Sequence, residues 1–271
     1  MKIVKSAASY IVAFTILALF MLPLVWVVLT SFKTRVQVFD NPLKVFFTPT
    51  LDNYRAVFAS EFMSNMANSF VIAGLSALFS LAVAAPCAFA FSRYPRALPR
   101  SDNALFWVLS LRMLPPIAVV VPYYLALRSL GLLDTHLALI VIYSVFNISF
   151  AVWLLKGFFD EIPPEIEEAA KVEGWRPLQV FLRVSLPLAR SGLVAAGLFC
   201  LIQSLNEFLL ALLLTSSKAA TGPVAISNFQ RFFGVDWGQM SAAAVIFMAP
   251  PLIFAFLVRN HLVRGMSFGA R

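Results

Sequence analysis

Two long apolar runs in this chain are separated by one polar stretch, Asp160 to Pro187 (DEIPPEIEEAAKVEGWRPLQVFLRVSLP), which holds six of the thirteen acidic residues. Apolar runs of that length can cross a bilayer, so a polar segment between them has to emerge on one side of it. Its residue types predict two short helices joined by a bend. Pro163 and Pro164 suit a first helical turn, where a missing N–H costs nothing. Glu165, Glu167 and Glu168 follow, close to the positive end of the helix dipole. Ile166, Ala169, Ala170 and Val172 give a narrow apolar stripe, and Gly174 supplies a C-terminal stop in the left-handed region. Trp175, Arg176 and Pro177 make the corner, and Leu178, Val180, Phe181 and Val184 begin a second, more apolar helix that Pro187 interrupts.

Hydrophobic residues make up 61% of the 271 and charged residues 13%, a membrane composition. Six stretches meet the roughly 20 residues needed to cross about 30 Å of hydrocarbon: residues 10–31, 66–92, 104–127, 137–156, 190–215 and 241–260. The first follows Lys2 and Lys5, but it exceeds the core of a secretory signal and no small-residue cleavage site follows it. It reads as a retained anchor with its N-terminus inside. With that orientation thirteen of the 21 Lys and Arg fall inside, seven outside, and Arg112 falls within a span. This bias places both termini and the 160–187 loop in the cytoplasm. It also accounts for the net charge of +8 without nucleic acid, because the cations sit at span ends instead of in a patch. Cys87 and Cys200 have no pairing or metal spacing.

Polar groups inside the spans mark candidate path residues. Span three carries Arg112 followed by Pro115-Pro116, so a kink or break facing the protein interior is expected. Arg112 on a lipid-facing helix would cost about 2.5–3.5 kcal/mol, which turns it toward other helices, a partner subunit or an aqueous path. Span four holds Asn147 and Ser149, and span five holds Gln203, Ser204, Asn206 and Glu207. Counted along straight helices at 1.5 Å per residue, Arg112 and Glu207 lie about 13 Å apart in depth, which argues against direct pairing. Asn147 falls near the depth of Arg112, with Asn206 and Glu207 nearer the outer face. Each also has a plain reading as a helix-packing group.

The loop 32–65 is rich in turn residues and aromatics, so it is expected to be ordered, with one short helix near 52–60. Residues 215–240, with Thr221-Gly222-Pro223 and Gly234-Val235-Asp236-Trp237-Gly238, predict a structured outer hairpin. Alternatively, Phe232, Phe233 and Trp237 anchor an interfacial loop there.

At Glu168-Ala169-Ala170, Gly174, Val184, Leu186 and Pro187 the chain resembles the EAA loop of the membrane subunits of bacterial ABC importers. Val184 replaces the usual isoleucine, and Glu173 stands where aspartate is common. Leu51-Asp52-Asn53-Tyr54 and Asn206-Glu207-Phe208 resemble segments of carbohydrate permeases of the maltose type, so the likeness runs over nearly the whole chain. It implies an all-α integral membrane fold of six transmembrane helices, the type I importer (MetI-like) permease fold, in a single domain of the bacterial inner membrane. It further implies a second homologous permease, two cytoplasmic ATPase subunits and an extracytoplasmic solute-binding protein as partners. Glu165, Glu168, Ala169, Ala170, Gly174, Trp175 and Arg176 would seat in the ATPase. Arg112, Asn147, Asn206 and Glu207 would line the path, and Asn228, Phe229, Gln230 and Arg231 would face the binding protein. The tail Arg264-Gly265-Met266-Ser267-Phe268-Gly269 resembles the family's C-terminus but departs from it at Met266 and Phe268.

The chain has no Walker-type glycine loop with lysine, so it cannot cradle ATP itself. No enzymatic activity and no cofactor are expected in it; ATP and Mg would sit on the partners. The reading is a permease subunit for a carbohydrate, polyol or related glycoside. The rival class is an ion-coupled secondary carrier that titrates Glu207.

Overall fold

The computed structural model describes residues 2–40, 42, 44–95, 101–231 and 234–267. Phe232, Phe233, Phe268 and Gly269, singled out above, lie outside the described residues, as do Arg96 and Arg100 of the cations counted inside. The chain forms two compact units, one of residues 1–64 with 225–250 and one of residues 65–224 with 251–271.

In the first unit, α1 (Lys2–Ser31) is followed by two short helices, α2 (Arg35–Asp40) and α3 (Asp52–Phe58). Among the described residues the loop 32–65 is thus ordered as expected, with α2 in addition. Asn53 holds it together, its amide donating to the carbonyls of Ser31 at 2.9 Å and Lys33 at 2.8 Å. Tyr54 adds a hydroxyl contact to Ser31 at 2.7 Å and a ring contact to Phe32. Lys33 is buried; its ammonium donates to the Pro42 carbonyl at 2.8 Å and lies over the rings of Trp26 and Phe47.

The second unit begins in α4 (Phe62–Arg93). Its buried face is built of Ala73, Ala77, Ala84, Ala85 and Ala88, small residues that let helices approach closely. Next, α5 (Ser101–Ser110), one tight turn at Leu111–Met113 and α6 (Pro116–Ser129) form the span expected over 104–127, broken at Pro115-Pro116 as expected. The two helical pieces meet at 88°. Leu114 and Pro115 each precede a proline and are both extended, as crowding by the following ring dictates. Thr135 caps α7 (His136–Asp160), accepting a hydrogen bond from the Ala138 N–H.

The polar stretch then folds as α8 (Pro164–Val172), α9 (Pro177–Val180), a widened π turn at Phe181–Ser185, and α10 (Leu186–Leu188). The two-helix reading stands; the π turn was not foreseen. It lies just before Pro187, which has no N–H to return to the preceding turn. After α10 the chain turns by 77° into α11 (Arg190–Asn206). The expected span 190–215 is corrected here. The helix stops at Asn206, Glu207 is extended, and α12 (Leu209–Leu214) starts afresh. Next come α13 (Gly222–Ser227), the hairpin β1 (Gln230–Arg231) and β2 (Gly234–Val235), and α14 (Trp237–Ser267). Among the described residues four helices are long and apolar enough to cross a membrane, and six spans result if each bent pair counts as one.

Two apolar clusters fill the second unit. One joins Phe89, Leu155, Phe159, Phe181 and Cys200 near the polar stretch; the other joins Ile72, Leu139, Ile142, Leu210 and Leu214 near the opposite end. Between them runs a buried ladder of Ser76, Ser80, Ser144, Asn147 and Ser204 on α4, α7 and α11.

The loop after α12 is stitched to the start of α7 by Asp134, whose left-handed φ of 56° turns its carboxylate toward the loop. It accepts from the N–H groups of Ser216, Ser217, Lys218 and Ala219 and from the Ser216 hydroxyl at 2.8 Å. Desolvation pushes this carboxyl up, but the hydrogen bonds from Ser216, Ala219 and Lys218 together outweigh it and hold it well below the usual carboxylate range. A depressed folded value stabilises the native state above the ordinary Asp value of about 4 and is lost as the pH falls further through the acid range. Asp134→Ala is therefore expected to lower the melting temperature at neutral pH by a few degrees. The difference from wild type should shrink below about pH 4. A thermal unfolding series against pH checks both.

Candidate permease site

A cavity of about 200 Å³ opens in the second unit at the two helix breaks, lined by Arg112, Tyr143, Asn147, Gln203, Ser204 and Glu207 with Leu114, Pro116, Phe146 and Leu210. The breaks explain why these residues meet. Arg112 sits in the tight turn before Pro115-Pro116, and Glu207 is the extended residue between α11 and α12. The expectation that Arg112 and Glu207 do not pair directly holds among the described residues, and the two breaks bring both side chains to one cavity lining. Irregular backbone at membrane depth is tolerated where it is enclosed by protein or lines a cavity, and both breaks do the latter.

Arg112 lies against a pair of stacked rings. Its guanidinium carbon is 4.9 Å from the Phe150 centroid and 5.1 Å from that of Phe199, and the rings themselves are 3.8 Å apart. The aromatic faces support the cation, and among the described residues it makes no salt bridge, Glu207 included. Glu207 is engaged otherwise: it accepts from the Leu210 N–H at 3.1 Å, the Ala211 N–H at 3.3 Å and the Tyr143 hydroxyl at 3.2 Å. Its carboxylate therefore caps α12 and ties it to α7. Asn147 is buried and donates to the Ser204 hydroxyl at 2.8 Å, which in turn meets Ser76 at 3.0 Å. Asn206 is exposed and is not part of the cavity wall. Of the four residues named for the path, three thus share one cavity. Tyr143, Phe150 and Phe199 were missed; the four-residue spacings Tyr143–Asn147 and Gln203–Glu207, each placing two polar groups on one helix face, could have pointed to Tyr143.

A larger cavity of about 460 Å³ belongs to the first unit and is walled mostly by apolar side chains, Trp26, Val27, Phe39, Trp237 and Met240 among them. Its polar lining comes from Thr30, Ser241 and Lys33, whose ammonium is bonded to the Pro42 carbonyl.

On the polar stretch, Glu165, Glu168, Ala169, Gly174 and Arg176 are exposed, Trp175 is half-buried and Ala170 is buried. The expected apolar stripe is mostly exposed, with Ala170 its one buried member. Ile166 and Val172 are exposed, and the buried face of α8 carries Glu167 and Ala170. Leu178 and Leu182 add to the exposed apolar surface, a patch of the kind that marks an interaction site. Gly174 has φ of 87°, with the Trp175 N–H returning to the Ala170 carbonyl at 3.1 Å and its own N–H to Lys171 at 3.0 Å, the two bonds of a Schellman stop. In the first unit, Asn228 and Gln230 are exposed and Phe229 is buried. Arg231 pairs with Gly234 through its backbone, and its side chain lies outside the described atoms.

Residues 96–268 match the family described as binding-protein-dependent transport system inner membrane component. A Sinorhizobium fredii protein described as a probable ABC transporter permease is 37% identical, over 93% of this chain and 90% of its own length. The SugB permease protein of a Mycobacterium tuberculosis trehalose transport system is 36% identical, over 92% of each chain. The fold is shared with a chain of a bacterial ABC transporter involved in the import of the acidic polysaccharide alginate, with a TM-score of 0.76 at 21% identity and 95% of each chain covered. The stop-and-bend geometry of the polar stretch, the spans broken around a polar cavity and these likenesses converge: the chain belongs to the family of inner membrane components of binding-protein-dependent transport systems.

Proposed function

We propose that this chain is one of two permeases framing the translocation path of an ABC importer for a carbohydrate, polyol or related glycoside. The observation that carries the reading is the exposed face of the polar stretch. Ile166, Val172, Leu178 and Leu182 stand open to solvent beside Glu165, Glu168 and Arg176, on a segment stopped and turned by Gly174. That surface is the dock for a cytoplasmic ATPase, its apolar patch giving affinity and its charges register. Closure of two such ATPases on ATP and Mg shifts the paired permeases between inward-open and outward-open states. Both termini and the dock lie in the cytoplasm of a bacterial cell. The hairpin around Asn228, Phe229, Gln230 and Arg231 faces an extracytoplasmic solute-binding protein.

The cavity supports the solute class. Hydroxyl, amide, carboxylate and guanidinium groups converge on about 200 Å³ next to aromatic rings, which suits a polyhydroxylated guest. The relatives named for trehalose and alginate transport point the same way. The carrier alternative is disfavoured by the position of Glu207, whose carboxylate is occupied as a helix cap and Tyr143 acceptor.

The test is reconstitution in proteoliposomes with the neighbouring permease, ATPase and solute-binding protein. Loaded binding protein is expected to stimulate ATP hydrolysis and uptake together, and the chain alone is expected to carry nothing under a proton or sodium gradient. Gradient-driven uptake by the isolated chain would overturn the proposal.

A further inference from the structure

Behind the exposed face of α8, one carboxylate points the opposite way. Glu167 is 1% exposed, and its two oxygens have different partners: the Arg93 Nε donates to one at 2.8 Å and the Ser185 hydroxyl to the other at 2.9 Å. Arg93 ends α4, and its remaining nitrogens are also committed. Nη2 donates to the Ile162 carbonyl at 2.8 Å and Nη1 to the Ser92 hydroxyl at 2.9 Å. Ser92 in turn donates to Asp160, the last residue of α7, at 2.6 Å. Ser185 closes the π turn. One guanidinium–carboxylate pair, its carboxylate buried and its guanidinium half-buried, therefore joins the ends of α4 and α7, the body of α8 and the π turn before α11.

We infer that Arg93, Glu167 and Ser185 form a clamp that makes α8 and the ends of α4 and α7 one mechanical body, so that a displacement of α8 is delivered to the spans. The inference rests on the proposed docking of an ATPase at the opposite face of α8. Three observations favour a transmitting role over a mere staple. A buried ion pair contributes little net stability compared with apolar packing of the same volume, so packing alone does not account for it, and an apolar core lies adjacent in Phe89, Phe159 and Phe181. The contacts are directional, with a partner for each of the three guanidinium nitrogens and both carboxylate oxygens, which fixes position instead of only excluding water. The third member sits in a π turn, the local geometry that lets a helix end yield or tighten by one residue. Without the clamp, α8 has few rigid links to α4, and movement at its outer face would be absorbed in the loop at Ile162 and Pro163.

Glu167 and Arg93 are thus positioning residues, and their readout is coupling, not assembly. The complete complex in proteoliposomes, with loaded binding protein, gives three quantities: ATPase co-purification, basal ATP hydrolysis, and solute taken up per ATP hydrolysed. Glu167→Gln is isosteric and is expected to keep the first two while reducing uptake per ATP by about tenfold, within the range of coupling energies between linked sites. Ser185→Ala, which keeps the ion pair, should reduce it by about threefold. Unchanged uptake per ATP in Glu167→Gln, with the ATPase still bound, overturns the clamp and leaves the docking proposal intact. Poor assembly of both variants with normal uptake per ATP in the assembled fraction also overturns it, because the pair is then a staple. The docking proposal has its own arm: Glu168→Arg is expected to release the ATPase, and retained, productive binding in that variant defeats docking itself.

Discussion

Replacing Gly174 with valine is expected to leave the chain inserted and the complex assembled while uptake falls by about tenfold or more. The cause is conformational and not a matter of space. A Cβ on Gly174 would meet nothing within 4 Å, but its φ of 87° lies where a side chain is disfavoured. An L-residue in the left-handed region costs about 1–2 kcal/mol, and a β-branched one more. The chain can relieve that cost by unwinding the last turn of α8, which loses the returns from Gly174 to Lys171 and from Trp175 to Ala170. The corner that sets Trp175 and Arg176 relative to Glu168 then shifts, and ATP is hydrolysed without transport. Gly174→Asn is the control, since asparagine tolerates this conformation. Parallel measurement of uptake and ATP hydrolysis decides the matter. Equal uptake in the valine and asparagine variants would show that the stop plays no part in coupling.

Arg112→Met is expected to reduce the initial rate of uptake by about ten- to hundredfold, the worth of hydrogen bonds to a charged donor of about 1.5–3 kcal/mol. The methionine keeps most of the apolar stem against Phe150 and Phe199, so folding is spared and the lost group is the guanidinium fork. Basal ATP hydrolysis should be unchanged, because the polar stretch is distant in sequence and independently held. Arg112→Lys retains charge without the planar fork and should fall between the two. Uptake at the wild-type rate in the methionine variant would remove Arg112 from the path.

Much of this architecture is legible in residue order. The apolar runs, the Pro115-Pro116 break and the Gly174 stop each follow from local rules, and the structure shows the bends they predict. The second break was not legible: depth was counted on straight rods, while α11 ends at Asn206 and the chain re-enters a helix at Leu209, with Glu207 on the cavity that Arg112 and Asn147 also line. No proline or glycine announces that second break. Its cap is Glu207 itself, a residue whose capping role shows only when the N–H groups it receives are in view. The inward turn of Glu167 was hidden for a related reason. Three glutamates in one turn look alike in sequence, and only the arrival of Arg93 from more than seventy residues away separates the buried one from its exposed neighbours. Asp134 is the same case across an even longer separation.

The serine ladder between the two apolar clusters has a bearing on motion. Ser80 also donates to the Ser76 carbonyl at 2.6 Å, Ser144 to that of Ile140 at 2.6 Å, and Ser76 to that of Ala73 at 3.1 Å, each on its own helix. A hydroxyl with a resident acceptor strands no proton when its neighbour slides away. Along this seam α4 and α7 can therefore shift against each other with their hydroxyls still bonded, whereas the Asn147 amide and the Ser204 hydroxyl, bonded across helices, hold α7 to α11.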